Sequence, residues 1–510
     1  MTRPRAAWLL ALYCAIVFFV NLDAAPLTDV DEGAFSEATR EMLARGDYVT
    51  TWLNGELRFD KPVLTYWAQA VPVALVGPRP GAFRFPSALA ACLWAWLLYR
   101  FARRYRPDDA VMATFMLASA LGPLAIARAA TADALLNAFL AGALFAFYRH
   151  LADGARRDLV AAFAWMGLGV LTKGPVALAV PALAVGTYCV SRGQWLRPLR
   201  LLRDPLAWIV LLAIAVPWYV LEYRAQGEAF IDGFFLKHNV NRFTGTMLGH
   251  GGFVWYYAVA LPVLIFPFLA PLAGALARLR ATLADDVQRF AWCTFGVMFV
   301  FFSLSRTQLP HYLLYGMTPL FLVLAAERRR FGGAWLVVAP AALGLLLAAA
   351  LPSLAGEAAA RTGNALARLL LSDFAQNLRT FVVPSLVACA LLVGAALIAT
   401  RWPREQRTDI RLYAAGAIPA LCLVLVLWPQ GIAWFQGPVA AAGAFARGRA
   451  DVVEWNANWP SFSVHRGAVT PSRRPRPGEI VLTRIDRAGE LPPHDVVFAQ
   501  REVLLARIRP

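Results

Sequence analysis

A polytopic bundle of about thirteen membrane-crossing helices, with a small α/β domain at its C-terminal end, is the fold this sequence predicts. Composition is the first reason: 59% of the 510 residues are hydrophobic and only 16% charged, against ~45–50% and ~25% in an average globular chain. The mean hydropathy of +0.53 says the same. The second reason is distribution, because the apolar residues fall in separate runs long enough to cross a hydrocarbon layer of about 30 Å. The third is charge placement. The net charge of +17 comes mainly from arginines clustered between apolar runs, with no basic stripe interleaved with aromatics of the kind that binds nucleic acid. A soluble enzyme and a nucleic-acid partner are both excluded.

The spans are expected near 6–22, 82–100, 110–127, 132–148, 158–171, 174–190, 205–222, 253–272, 290–304, 310–326, 332–351, 380–400 and 411–429. The first, Ala6 to Leu22 behind Arg3 and Arg5, has signal-peptide composition but is read as an anchor because further spans follow. Alternate loops carry the arginines, among them Arg100, Arg103, Arg104 and Arg106, then Arg149, Arg156 and Arg157, then Arg328, Arg329 and Arg330. The positive-inside rule puts these loops, and the N-terminus, in the cytoplasm. An odd number of spans then leaves the C-terminal segment outside. All six cysteines lie within apolar runs, without a Cys-x-x-Cys pair, and read as small buried hydrophobes.

Two external segments have structure of their own. In the first loop, 23–81, Ala34, Phe35, Ala38 and Met42 recur at helical spacing and the pattern ends near Gly46, which predicts an amphipathic helix lying on the membrane. Val63 to Val76 is a second interfacial helix, too short to span and closed by Gly77-Pro78. After Trp428-Pro429 the composition changes, and a transmembrane domain of 1–429 gives way to a small domain of 430–510 with β-rich runs at Glu479–Arg484 and Asp495–Ile508.

The chemistry-bearing residues collect on the outer face. Asp31-Glu32 opens the first-loop helix; such a pair can bind a cation or take a proton from an attacking hydroxyl, or simply favour a helix N-terminus. Asp133, after Arg128 and Thr131, stands at the mouth of a span, where an ionisable group is either partnered or functional. An Arg128–Asp133 ion pair is the structural alternative. The three lysines, Lys61, Lys173 and Lys237, all lie on this face, with His238, Arg242, His311 and Tyr312. Fixed cations with a phenol suit a phosphate or diphosphate. No local His spacing marks a metal site, so His238 and His311 are read as hydrogen-bonding groups.

The ordered set Asp31-Glu32, Gly46-Asp47-Tyr48, Asn54-Gly55, Asp60-Lys61-Pro62, Tyr66-Trp67, Thr131-Ala132-Asp133, Leu171-Thr172-Lys173-Gly174-Pro175, Pro217-Trp218-Tyr219, His238-Asn239, Arg242-Phe243 and Leu309-Pro310-His311-Tyr312 resembles the GT-C membrane glycosyltransferases. Within that class it is most similar to the bacterial lipid A aminoarabinose transferases, with protein O-mannosyltransferases as more distant relatives. The likeness covers residues 1–330. It implies an inner-membrane enzyme that takes a sugar from a polyprenyl phosphate, usually undecaprenyl phosphate, and delivers it to an extracytoplasmic acceptor, lipid A or a related glycolipid. It also implies Asp31 and Asp133 as catalytic acids and Lys61, Arg242 and Tyr312 as the donor-phosphate site. Glu32, Lys173, Lys237, His238 and His311 are further candidates. Asp60 departs from the family, which often has Glu before Lys-Pro. A divalent cation stays open as a cofactor. Two alternatives stand beside this reading: a protein or polysaccharide glycosyltransferase of the same class, and a lipid-linked sugar transporter or flippase. A transporter more typically shows internal repeats and polar residues at span centres, neither of which is present.

Overall fold

The computed structural model describes residues 3–234, 253–330 and 335–510. The chain opens with helix α1 (Arg3–Phe19), followed by α2 (Asp31–Arg45). A short hairpin of β1 (Trp52–Leu53) and β2 (Glu56–Leu57) comes next. Its turn is Asn54-Gly55, both at positive φ, 53° and 85°, the backbone shape for which Asn-Gly is preferred in tight hairpins. α3 (Leu64–Val76) and α4 (Pro80–Tyr105) follow. α5 (Ala110–Ser119) and α6 (Leu121–Ala127) are bent by 67° at Ala120. Then come α7 (Asp133–Asp153), α8 (Arg156–Lys173) and α9 (Val176–Ser191).

Among the described residues, six helical runs are long and apolar enough to cross a membrane, or seven if the bent α5–α6 pair counts as one. These runs, with the shorter apolar helices between them, make the protein a multi-pass membrane protein, mostly helical. Burial sorts them. In α7, 83% of the apolar window is buried, against 28% in Pro205–Gln226 and in Trp335–Arg361. α7 is therefore the central helix, enclosed by α4, α8 and α9. The peripheral helices show Ile209, Leu343, Leu347, Val383 and Leu391 outward, the apolar exterior that a bilayer rather than water covers.

The arginine-rich end is locked by ion pairs between helix termini. Arg328 pairs with Asp109 and Asp409, Arg329 with Asp409 and Glu405, and Arg104 with Asp153. α7 rises 21 residues from Asp133 to Asp153, about 30 Å at 1.5 Å per residue. Asp133 thus lies a full membrane thickness from these arginines.

The C-terminal sheet has the order β3-β4-β6-β5, formed by β3 (Val452–Glu454), β4 (Ile480–Arg484), β5 (His494–Gln500) and β6 (Val503–Ile508). β3 and β4 are parallel and the remaining pairs antiparallel. The helix Trp428–Phe445 packs on this sheet, so residues just past 430 continue the last long helix and the sheet begins only at Val452. Trp434 closes that junction, donating to Asp373 Oδ2 at 2.6 Å and lying under the Arg501 guanidinium.

The first-loop helix differs from the surface helix its sequence suggests. In α2, Glu32 through Thr39, Glu41 and Met42 are all buried. The C-terminal helix Ser461–Arg466 covers its polar face and α3 its apolar one. The helix that covers this polar face arrives some 430 residues later, although the acids of α2 bond nearer partners: Glu32 to Arg84, Glu37 to Arg40 and Glu41 to Arg45.

Just before α2, the contact of Asp29 with Ser461 makes a pH-dependent joint. Burial pushes the Asp29 carboxyl up to about 7, against the lowering effect of its bonds from Ser461 and with Glu454 and Glu32 adding to the rise. The ordinary carboxylate value is about 4, so the folded chain keeps a proton that the unfolded chain releases between pH 4 and 7. This contribution to stability is complete below pH 4 and is lost as pH rises to 7. Thermal unfolding in detergent should therefore show Asp29→Asn gaining on the wild type between pH 4.5 and 8, and a pH-independent difference would contradict the assignment.

Candidate active site

The end of the bundle opposite the arginine-rich loops is organised around the start of α7. α7 and α8 form an antiparallel hairpin about Gly154, which sets the last residue of α8, Lys173, beside the first of α7, Asp133. Lys173 Nζ lies 2.6 Å from Asp133 Oδ1. The Tyr315 hydroxyl donates to the same oxygen at 2.9 Å and accepts from Lys173 Nζ at 2.8 Å. His311 Nε2 stands 3.7 Å from it. The Thr131 hydroxyl donates to Oδ2 at 3.4 Å. Lys173 Nζ also lies 5.7 Å and 5.4 Å from the ring centres of Tyr312 and Tyr315, within the range in which an aromatic face attracts a cation. Side-chain exposures of 10% for Asp133 and 12% for Lys173 make this a buried pair rather than a surface one.

A second cluster surrounds Asp31. Its side chain is exposed at the first turn of α2, near enough for its charge to act on Arg58 and Tyr66. Arg58 Nε donates to the Tyr66 hydroxyl at 3.2 Å, Nη2 pairs with Asp60 Oδ2 at 3.2 Å, and the guanidinium lies over Phe35. Lys61 Nζ donates to the Asp60 carbonyl at 2.9 Å. Arg58, Phe59 and Asp60 border a cavity of about 270 Å³ that reaches Glu56 and Gly233.

Glu32 joins the two clusters. Its Oε1 accepts from Arg84 Nε at 2.7 Å and from the Ala130 N–H at 2.8 Å; Oε2 accepts from Arg84 Nη2 at 2.8 Å, the Thr28 N–H at 2.7 Å and the Thr28 hydroxyl at 2.9 Å. Burial alone would raise this carboxyl, and Arg84 with the backbone donors holds it below its ordinary range. Gln69 donates to the Ala130 carbonyl at 3.2 Å. The residue after Asp31 is thus fastened to a point three residues before Asp133.

The sequence candidates divide accordingly. Asp133, Lys173, His311 and Tyr312 come together; Asp31 and Lys61 share the neighbouring cluster; Glu32 turns inward with both oxygens occupied. Arg128 does not pair with Asp133. It donates to the carbonyls of Val17 at 2.8 Å and Val20 at 2.7 Å, satisfying the open end of α1, and this leaves Asp133 to Lys173. Lys237, His238 and Arg242 lie outside the described residues. Tyr315, Arg58 and Tyr66 gain weight from the structure. Tyr315 follows Tyr312 by three residues, one turn of the helical segment after Pro310, and Arg58 stands two residues before Asp60 in the loop that carries Lys61. Among the described residues no three His, Cys, Asp or Glu side chains converge as metal ligands do.

A family model described as "Dolichyl-phosphate-mannose-protein mannosyltransferase" matches residues 60–220. The undecaprenyl phosphate-alpha-4-amino-4-deoxy-L-arabinose arabinosyl transferase of Serratia proteamaculans is 31% identical over 340 residues, 64% of this chain and 60% of that protein. That of Yersinia pestis is 31% identical over 336 residues, with the same shares. The chain therefore spans about 60% of the length of these curated relatives. Among solved structures, ArnT from Cupriavidus metallidurans superposes with a TM-score of 0.80 in the apo state and 0.78 bound to undecaprenyl phosphate. Each match covers 99% of this chain and 98% of the other at 21% identity. This chain has the ArnT fold. It resembles the arabinosyl transferases in sequence, and its ArnT-like architecture extends through the C-terminal sheet.

Removing one partner of a buried ion pair costs about 3–5 kcal/mol because the other charge stays behind without water. Lys173→Met should lower the unfolding temperature in detergent, and the Asp133→Asn/Lys173→Met double variant should recover part of the loss. Losses that simply add, the double variant falling by the sum of the two single variants, would show that the two charges are not coupled.

Proposed function

We propose that this chain is an integral membrane glycosyltransferase. It moves a sugar, an aminoarabinose-like pentose or a hexose, from undecaprenyl phosphate to lipid A or a related glycolipid at the periplasmic face of the bacterial inner membrane. The observation that carries this reading is the meeting of carboxylates and cations at one end of an ArnT-type bundle, a membrane thickness away from the arginine-rich loops. Thirteen crossings, a cytoplasmic N-terminus and a periplasmic domain from residue 430 complete the proposal, supported by the alternation of arginine between loops. An apolar cavity of about 510 Å³ bordered by Leu121 and Leu124 of α6, Phe266, Leu343 and Leu423 suits the prenyl chain. α6 leads directly to Arg128 and Asp133.

In glycosyl transfer an acceptor oxygen attacks the anomeric carbon while the bond from that carbon to the phosphate oxygen breaks. Its electron pair leaves with the lipid phosphate. Positive charge grows on the sugar and negative charge on the phosphate, so the site needs carboxylates near one and donors near the other. Asp31, exposed and outside the buried pair, takes the acceptor's proton or stabilises the sugar cation. Asp133 supports that charge from its fixed position. Lys61, Arg242 and Tyr312 hold the departing phosphate, with Lys173, Lys237, His238 and His311 around them. The description of the matching family model favours one second reading, a protein acceptor.

Mass spectrometry of the glycolipid fraction decides between acceptors and names the sugar. A mass increment in lipid A that depends on an active copy is expected, lost in Asp31→Asn and reduced about a hundredfold in Lys61→Ala, the scale of one removed electrostatic donor. An increment on protein alone would establish the second reading, and unchanged product in both variants would remove the site assignment. Cysteines placed at 31 and 312 should both react with an impermeant maleimide from the periplasmic side; labelling from opposite sides would exclude a shared centre.

A further inference from the structure

Asp31 stands between two anchored neighbours. On one side Glu32 is fastened to the bundle through Arg84 and Ala130. On the other, Asp29 is fastened to the C-terminal unit. Asp29 Oδ1 accepts from the Ser461 N–H at 2.8 Å and Oδ2 accepts from the Ser461 hydroxyl at 2.5 Å. The Gln436 amide, turned so that its nitrogen faces the carboxylate, donates to Asp29 Oδ2 and accepts from the Asp29 N–H, both at 3.2 Å.

Two further contacts seat the same two pieces on each other, and a third steadies the turn within the C-terminal unit. Gly33 has no room for a side chain, since a Cβ there would lie 2.2 Å from Asp29 Oδ1 and 2.6 Å from Ser461 N. Asn54 Oδ1, in the β1–β2 turn, accepts from the Ser463 hydroxyl at 2.7 Å. Glu454 Oε1 accepts from the Trp459 N–H at 2.6 Å, fixing the turn that presents Ser461. Polar groups paired this closely across 432 residues of sequence define one geometry, because each loses its water on docking and regains a partner only in register.

We propose that the C-terminal unit positions the catalytic carboxylate: Ser461 and Gln436 grip Asp29, and this grip, opposite the Glu32 anchor, sets the path of residues 29–31 and hence the placement of Asp31. Asp29, Ser461 and Gln436 are positioning residues that touch no substrate. The inference rests on the proposed role of Asp31. It assigns the C-terminal unit a part in turnover, and it separates that part from donor binding, which falls to Lys61, Arg242 and Tyr312.

The test measures sugar transfer from undecaprenyl phosphate-4-amino-4-deoxy-L-arabinose to lipid A in detergent micelles, with binding of labelled undecaprenyl phosphate measured in parallel. Asp29→Ala and Ser461→Ala should lower kcat ten- to a hundredfold, the effect of a displacement near 1 Å, with the donor KM within twofold and lipid binding unchanged. Asp29→Asn should keep kcat within threefold, because its Oδ1 still accepts from the Ser461 N–H and its Nδ2 can donate to the Ser461 oxygen. If Asp29→Ala does not fold, Ser461→Ala, which retains the backbone donor, carries the test. Asp31→Asn is run beside them. An inactive Asp31→Asn with wild-type kcat in Asp29→Ala and Ser461→Ala would overturn the clamp alone. An active Asp31→Asn would overturn the role of Asp31 and the clamp with it. Parallel loss of kcat and lipid binding, unrescued by Asn, would reduce the joint to a folding contact and also overturn the proposal.

Discussion

The end of this protein opposite the arginine-rich loops depends on one buried carboxylate. Glu32 is 3% exposed, and taking its charge out of water costs several kcal/mol unless partners replace the lost hydration. Five donors do so: two from the Arg84 guanidinium, two backbone amides and one hydroxyl. Arg84 spends its remaining donors on the carbonyls of Leu22, Ala25 and Pro26. A single ion pair thereby gathers the end of the first helix, the start of α2, the start of α4 and the approach to α7. The carboxylates at 31 and 133 owe their common neighbourhood to it.

Lys173 and Asp133 illustrate a different economy of design. The lysine sits at the C-terminal end of α8, the favourable pole for a cation, and the aspartate at the N-terminal end of α7, the favourable pole for an anion. Both helix termini therefore support the pair they present. Tyr315 completes a triangle in which each member is bonded to the other two, so none can rotate without breaking two contacts. Such a group holds its charges in fixed positions before any substrate arrives, which is the condition for electrostatic stabilisation of a developing charge.

Much of this was legible in the sequence. The six long apolar runs fall on hydropathy windows because a bilayer imposes the same requirement on every crossing segment, while the windows at 253–272 and 310–326 are each broken into shorter helices. α2, α3 and the β-rich C-terminal runs follow from local pattern. The Asp133–Lys173 contact was legible in principle, since the two residues stand 21 and 19 positions from Gly154 and an antiparallel hairpin brings them level. The burial of α2 was not. Its cover comes from Ser461–Arg466, and no periodicity within 31–45 encodes a partner so distant in the chain. Glu32 was equally opaque: beside Asp31 it reads as half of an acidic pair, and only the position of Arg84 shows that its neighbour faces outward while it faces in. The Arg128–Asp133 pair, offered as the structural alternative, does not form, because the unsatisfied carbonyls of α1 are a stronger claim on the arginine.

The uneven burial of the helices carries an evolutionary consequence. Where fewer than a third of the residues are buried, as in Trp335–Arg361, selection sees little beyond oiliness at the exposed positions, and one aliphatic side chain can replace another there with little penalty. α7 has no such latitude, since nearly every position abuts a neighbour of fixed shape. Homologous chains should therefore drift fastest along their lipid-facing rim and slowest along this central rod, a gradient of substitution set by solvent rather than by distance from the chemistry.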